Sequence, residues 1–328
     1  MTAVPAWRVV LDGQDLTDRI APRLIDLTLT EDRSGEADQL DLRLHDHDGK
    51  MALPRRGVTL AVAIGWKDSG LVDKGTFEVD EVEYSGSPDV ICIRARSANL
   101  TQSLRNRRER SWHATTLGDV VRAIAGEHGL TARVADKLAG VALPHLDQAN
   151  ESDANLLTRL GKRFDATATI KNGALIFAPI GSGKTASGMA LPTFVLTRRD
   201  GDQHRYSVAD RDAFSGVRAH WNDKKGARRK SVLVGKDDNA KSLRETYDSE
   251  KSAREHAAAE FKRVQRGEGK FDYTLAFGRA DLSPEAIVSV QGFKPEIDRQ
   301  RWLVSRVTHS IASNIGFTSA IELELLSG

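Results

Sequence analysis

Leu40–Leu44 (LDLRL), Val58–Trp66 (VTLAVAIGW), Phe77–Ser85 (FEVDEVEYS) and Val90–Ser97 (VICIRARS) have counterparts in the same order near the other end of the chain. These are Phe271–Phe277 (FDYTLAF), Ala286–Phe293 (AIVSVQGF), Trp302–Ser310 (WLVSRVTHS) and Ser319–Ser327 (SAIELELLS). A proline, Pro54 or Pro284, falls between the first and second members of each set. The last member of each set alternates apolar and polar residues, the period of a strand with one face buried. One β-rich pattern is therefore expected twice.

Working outward, residues 7 to 96 read almost entirely as strands punctuated by Asp12-Gly13, Ser34-Gly35, Asp48-Gly49 and Ser85-Gly86, where small polar residues and glycine supply turn geometry. Composition changes after Asn99. Arg105, Arg107, Arg108 and Arg110 form a dense basic segment ahead of a helix that Thr116 caps, with Leu117, Val120, Val121, Ile124 and Ala125 on its apolar face and Gly129 at its end. A second helix begins near Ser152 and carries Leu156, Leu157, Leu160 and Phe164, followed by a hairpin about Asn172-Gly173. A third, from Ser249 to Gln265, turns Ala253, Ala257, Phe261 and Val264 inward. The expected fold is mainly β with an α+β insert. Two similar β-barrel domains, 1–100 and 191–328, flank a small helical and hairpin domain at 101–190, and the helix near 249–265 is embedded in the second barrel.

The 328 residues, 40% apolar and 29% charged with a net charge of +2, describe an ordinary globular chain. Mean hydropathy is -0.41. No apolar run reaches the ~18 residues of a membrane span, so no membrane insertion is expected. Met1–Gly13 lacks a basic stretch followed by an apolar one, which argues against a secretory signal. The lone Cys92 sits in an alternating strand and reads as a buried structural thiol.

Few residues nominate chemistry. Gly181–Thr185 (GSGKT) ends like a phosphate-binding loop, but Ala178 stands at the first glycine position and Gly188 and Pro192 disfavour the helix whose amides would hold the phosphates. His45, Asp46, His47 and Asp48 could ligate a metal or simply form a polar turn. His309 reads as a satisfied barrel residue. Glu78, Asp80, Glu81 and Glu83 alternate between faces of one strand and suggest no acid–base pair. The basic clusters at Arg105–Arg110 and at Lys224, Lys225, Arg228, Arg229 and Lys230 suit solvated loops or charge pairing with a neighbouring subunit. No residue is assigned a catalytic, cofactor-binding or metal role, no cofactor is expected, and the chain is not read as an enzyme. Two rivals from other classes stay open. One is a nucleotide-dependent enzyme using Lys184 and Thr185, and the other is a nucleic-acid-binding barrel using Arg228 and Arg229, whose affinity would fall steeply with salt.

Asn150–Pro179 (NESDANLLTRLGKRFDATATIKNGALIFAP), Arg94–Leu130 and Arg301–Gly328 together resemble the tail protein D, or late control D, family of contractile-tailed phages, which forms the baseplate hub. The first segment is similar to that family's E-S-D-x-x-x-L-x-R-L helix and following hairpin. The resemblance implies a homotrimer whose two barrels per chain give a pseudo-sixfold ring. Such a ring joins the hexameric tail tube to the trimeric central spike, contacts other baseplate proteins, and lets the tape measure protein and then DNA pass through its lumen. It implies a location in the virion tail baseplate after assembly in the host cytoplasm. Similar hubs open type VI secretion spike proteins and occur in phage-derived injection particles. Because the sequence stops after its last strand, a separate spike subunit is expected.

Overall fold

The structure, a computed structural model, describes residues 3–33, 37–97, 102–171, 173–208, 214–223 and 226–326. The expected turn at Ser34-Gly35, Asn172 of the hairpin turn, and Lys224 and Lys225 lie outside them.

The first third of the chain is β1 (Pro5–Leu11), β2 (Gln14–Asp15), a short α1 (Thr17–Ile20), β3 (Leu24–Asp32), β4 (Gln39–His45), β5 (Thr59–Trp66), β6 (Gly70–Ser85) and β7 (Val90–Ser97). The middle comprises β8 (Arg107–Thr116), α2 (Leu117–Glu127), β9 (Thr131–Val134), α3 (Asp136–Ala139), β10 (Ala142–Ser152), α4 (Asp153–Phe164), β11 (Ala166–Lys171) and β12 (Ala174–Pro179). The last part holds β13 (Thr193–Thr197), β14 (Gly201–Val208), β15 (Gly216–Asp223), β16 (Arg228–Gly235), β17 (Ala240–Tyr247), α5 (Glu250–Gly267), β18 (Gly269–Leu275), β19 (Ile287–Gln291), α6 (Pro295–Asp298), β20 (Arg301–Ala312) and β21 (Gly316–Leu325).

The repeated pattern is a repeated ladder. The first set pairs in the order β3-β4-β7-β6-β5 and the second in the order β14-β18-β21-β20-β19. Even the irregularities recur. Between Val79 and Glu81, β6 carries one extra residue against Ala95 and Arg94, and β20 carries one between Val304 and Arg306 against Leu323 and Glu322. The same bulge recurs between Leu24 and Asp26 on β3 and between Gly201 and Gln203 on β14. A bulge bends its strand and pins the register beyond it, so the matching bulges fix which residues correspond: Asp80 with Ser305, and Ile25 with Asp202. The sixth strands differ, because β1 runs antiparallel to β5 whereas β13 runs parallel to β19.

Each set encloses a core, the first completed by Ala280, Ile311 and Phe317 from the second set. Leu27, Leu29, Leu40, Leu42, Leu60, Phe77 and Ile91 from β3 to β7 pack together with Val9 of β1. Phe271, Tyr273, Val288, Trp302, Val307, Ile321 and Leu323 do so in the second set with Phe194 of β13. One core lined from every strand requires the sheet to curl around it, as in a barrel. A third core joins Val120, Val121 and Ile124 of α2 to Leu156, Leu157 and Leu160 of α4 and Phe177 of β12. In the fourth, Ala253 and Ala257 of α5 lie on Val217 and Ala219 of the β16-β15-β17 sheet. The side-chain oxygens of Thr116, Ser152 and Ser249 accept from backbone amides at the starts of α2, α4 and α5; the cap at Thr116 was expected from the sequence.

Candidate assembly surfaces

The two sets are joined edge to edge. Arg306 to Ala312 of β20 pairs antiparallel with Asp32 to Asp26 of β3, making one sheet of 13 strands among the described residues. Its outward face is polar across the seam. A row runs Arg205, Asp272, Glu322, Arg306, Asp32, and another runs Ser310, Thr28, Asp41, Arg94, Glu81. Opposite charges stand side by side, as where Arg306 Nε meets Asp32 Oδ2 at 2.9 Å and Arg94 Nη1 meets Glu81 Oε1 at 2.7 Å. Cys92 lies on this face opposite Arg43 and Glu83, half-buried rather than interior. Strand alternation explains the difference: Ile91 and Ile93 take the core positions.

Two buried ionic clusters lock the seam. In the first, Lys74 Nζ of β6 donates to Glu31 Oε2 of β3 at 2.6 Å, while Lys171 of β11 lies 3.7 Å from Glu31 and 3.1 Å from Asp38. His309 of β20 shares a 2.8 Å hydrogen bond with Ser319 through Nδ1, and its Nε2 faces Glu31 Oε2 at 3.5 Å. Burial alone would raise the Glu31 carboxyl. The His309 ring and the two lysine ammonium groups reverse that and hold it at about 2. Burial keeps His309 below the usual imidazole range. In the second cluster, Arg33 lies against Glu285 and Glu324, and Arg266 of α5 joins Glu324 to Asp165, the left-handed residue that ends α4. The Thr167 hydroxyl donates to the Arg33 carbonyl at 2.6 Å. Glu31 and Arg33 thus tie β3 to both neighbouring parts of the chain. Sequence reasoning missed Glu31, Arg33, Lys171 and Arg266. A charged residue on an otherwise core-facing strand position, as Glu31 is among Leu27 and Leu29, was the available signal.

The E-S-D segment resolves into structural roles. Glu151 pairs with Arg159 at 2.7 Å and Ser152 caps α4. Asp153, fully buried, accepts from Gln148 at 2.8 Å, from His128 Nε2 at 2.9 Å, and from Arg110, with Arg108 at 3.3 Å. Burial opposes its ionisation, but these donors outweigh burial and lower its pKa. Arg108 and Arg110 also grip Glu127. The basic segment at Arg107–Arg110 is therefore strand β8, and Arg108 and Arg110 are spent within the chain instead of on loops or a neighbouring subunit. Glu127, His128 and Asp153 bring three possible metal ligands together, but the two guanidinium groups already balance their charge. Ser103 Oγ lies 2.8 Å from His128 Nδ1, completing a Ser–His–Asp chain. That imidazole is only 1% exposed and its carboxylate is bound by arginines, so the chain reads as a tie between the segment before β8, the end of α2 and the start of α4.

The remaining motifs are equally engaged. No helix follows Gly181–Thr185, and the Gly181 amide donates to Glu285 Oε2 at 2.8 Å, so a side chain of the protein takes the position a phosphate would want. Arg23 donates to both oxygens of Asp48 at 2.8 and 2.7 Å and approaches Asp46, filling the turn where a cation would sit, while His45 and His47 are exposed. Lys230 pairs with Asp223 at 2.6 Å and lies over Trp221. No helix among the described residues is long and apolar enough to cross a membrane.

A doubled, edge-joined β sheet braced by internal ion pairs defines a structural assembly protein. The chain belongs to the phage tail baseplate hub (GPD) family, whose profile matches residues 36–315. It is 43% identical to the "Probable baseplate hub protein" of Escherichia phage 186 over 98% of this chain and 93% of that protein. Its fold is similar to the tail protein from Neisseria meningitidis MC58, with a TM-score of 0.73 at 14% identity over 98% of this chain and 96% of that one. It is also similar to the E. coli c3393 protein, a component of the type VI secretion system, with a TM-score of 0.58 at 15% identity over 93% and 74%. The family is structural and not one of enzymes.

Two predictions test the internal ties. Asp153→Ala leaves buried donors without an acceptor and is expected to cost about 3–5 kcal/mol in urea unfolding, against about 1 kcal/mol for Ser152→Ala, which removes only a helix cap. Lys74→Met should cost about 3–5 kcal/mol at pH 7 by stripping a cation from buried Glu31. Because the Glu31 pKa is lowered on folding, its ionised form stabilises the protein fully above its ordinary pKa of 4.5, and that share is lost as pH falls through about 2. The cost of Lys74→Met should accordingly shrink between pH 5 and pH 3 in thermal melts.

Proposed function

We propose that this baseplate hub protein works as a homotrimeric ring of pseudo-sixfold symmetry, joining a hexameric tail tube to a trimeric central spike. The observation that carries this reading is the repeated ladder with its repeated bulges. Three chains holding two equivalent β sets each offer six near-equivalent positions to a sixfold partner while keeping threefold symmetry for another. Domain limits near residues 100 and 190 fit this scheme, with α2, α4 and their hairpins lying beside the ring. The polar outward face of the joined sheet suits a lumen: its rows of paired charges and hydroxyls offer a passing tape measure protein or DNA no apolar surface to hold. Assembly in the host cytoplasm, with contacts to other baseplate proteins, follows from the same reading.

The 43% identity to a phage hub protein, against 15% for the type VI component, favours a phage tail over other injection particles. Light scattering of the purified chain, alone and co-expressed with tube and spike proteins, tests the proposal. A mass near three times 35.9 kDa with an open ring in negative stain is expected. A strict monomer in every combination overturns it.

A further inference from the structure

The repeat correspondence identifies which edges should meet between chains. Within one chain the sets join through β20 and β3. Pairing partners and bulges make β20 the counterpart of β6, and β3 the counterpart of β14. The parallel extends along each strand. The start of β20, Arg301 to Leu303, pairs with β19, and its later part pairs with β3. Likewise β6 pairs with β5 up to Glu78, but beyond the bulge its β5-side edge, through Ser85, has no ladder partner among the described residues. Among the described residues β14 pairs with β18 alone and ends the sheet. These two edges, unpaired among the described residues, are the counterparts of the two edges that pair at the internal seam.

We propose that the edge of β6 past its bulge and the outer edge of β14 pair with each other between neighbouring copies of this chain, antiparallel and in the register of the internal seam. Val307 opposite Glu31 translates to Val82 opposite Val208. Thr308 opposite Thr30 translates to Glu83 opposite Ser207, His309 opposite Leu29 to Tyr84 opposite Tyr206, and Ser310 opposite Thr28 to Ser85 opposite Arg205. This inference rests on the ring reading and adds its seam.

A separate observation supports it. Tyr84 is 50% and Val208 62% exposed, both at inward-facing ladder positions. Their counterparts at the internal seam, His309 and Glu31, are 0% and 7% exposed because a strand covers them. Docking β14 of one copy on β6 of the next covers Tyr84 and Val208 in the same way and fills backbone groups that an open edge leaves free. Repeating at every boundary the step that relates the two sets within one chain adds units around a single axis, and three chains close it when each step is a sixth of a turn.

Cysteine pairs read the register directly. Antiparallel partners sit with Cα atoms about 4.5–5.5 Å apart, within disulfide range. In a Cys92→Ser background, Glu83→Cys with Ser207→Cys should oxidise to reductant-sensitive dimers and trimers on a denaturing gel, as should Tyr84→Cys with Tyr206→Cys. Glu83→Cys with Arg205→Cys, two residues out of register, should remain monomeric. Val208→Lys, at an exposed position, should reduce the trimer fraction by at least tenfold without lowering the melting temperature. If the unaltered chain is trimeric by light scattering but neither in-register pair crosslinks, or the out-of-register pair crosslinks equally, the proposed seam is wrong while the ring stands. If no trimer forms even with the spike protein, the ring reading itself falls.

Discussion

The ladder between β3 and β20 is the contact on which the rest of the arrangement depends. It turns two β sets into one sheet, and it sets the angle between them through backbone hydrogen bonds that admit only registers two residues apart. A sheet edge alone could slip. Here the bulges on β3 and β20, the Arg33 amide donating to the Ser305 carbonyl at 3.1 Å, and the two ionic clusters leave one register satisfied. Sliding β3 by two residues would take Glu31 from Lys74 and Arg33 from Glu285 and Glu324 together, leaving several buried charges unpaired.

Those clusters explain how the middle of the chain is held. Lys171 and Thr167 of β11 reach the end of β3, and Arg266 of α5 links Asp165 at the end of α4 to Glu324 of β21. The helical insert is thereby fastened to the seam, beyond its own strand-to-strand connections. Apolar side chains of matching size could supply similar stability, but they would not select one register of one strand. For a part that must present several copies of the same surface at fixed angles, selection of a single geometry is the property that matters. The lowered pKa of Glu31 records how completely its negative charge is matched there.

Much of the β organisation was legible because alternation and turn residues are local properties. The four matched segments, the three capped helices and the helix faces at Val120, Leu160 and Ala257 all follow from spacing alone. What spacing does not contain is the identity of the partner across an edge. Nothing in Leu24–Asp32 announces that β20 lies beside it, nearly the whole chain away. In the sequence β8 reads as a basic segment before a helix because its arginines mask the alternation, and the acceptors that justify them, Glu127 and Asp153, come from elsewhere in the fold. The GSGKT loop shows the converse. Its residues suggest phosphate chemistry, yet whether its amides are available is decided by Glu285, remote in sequence.

Open strand edges are ordinarily a hazard, since any exposed strand can add to them. In their ladders to β7 and β18, β6 and β14 carry bulges at the positions where β20 and β3 carry them in their ladders to β21 and β4, just beyond the two ends of the internal seam. A bulge bends its strand, so an arbitrary flat strand laid along either edge meets a kink where the straight stretch ends. A partner with the complementary bend meets none. The internal seam demonstrates that the bends of β20 and β3 fit each other, and β6 and β14 carry the same bends. Selectivity at an exposed edge then follows from backbone shape, with little demand on side-chain identity. This accounts for how Tyr84 and His309, or Val208 and Glu31, can differ so much in chemistry while occupying matching places in the ladder.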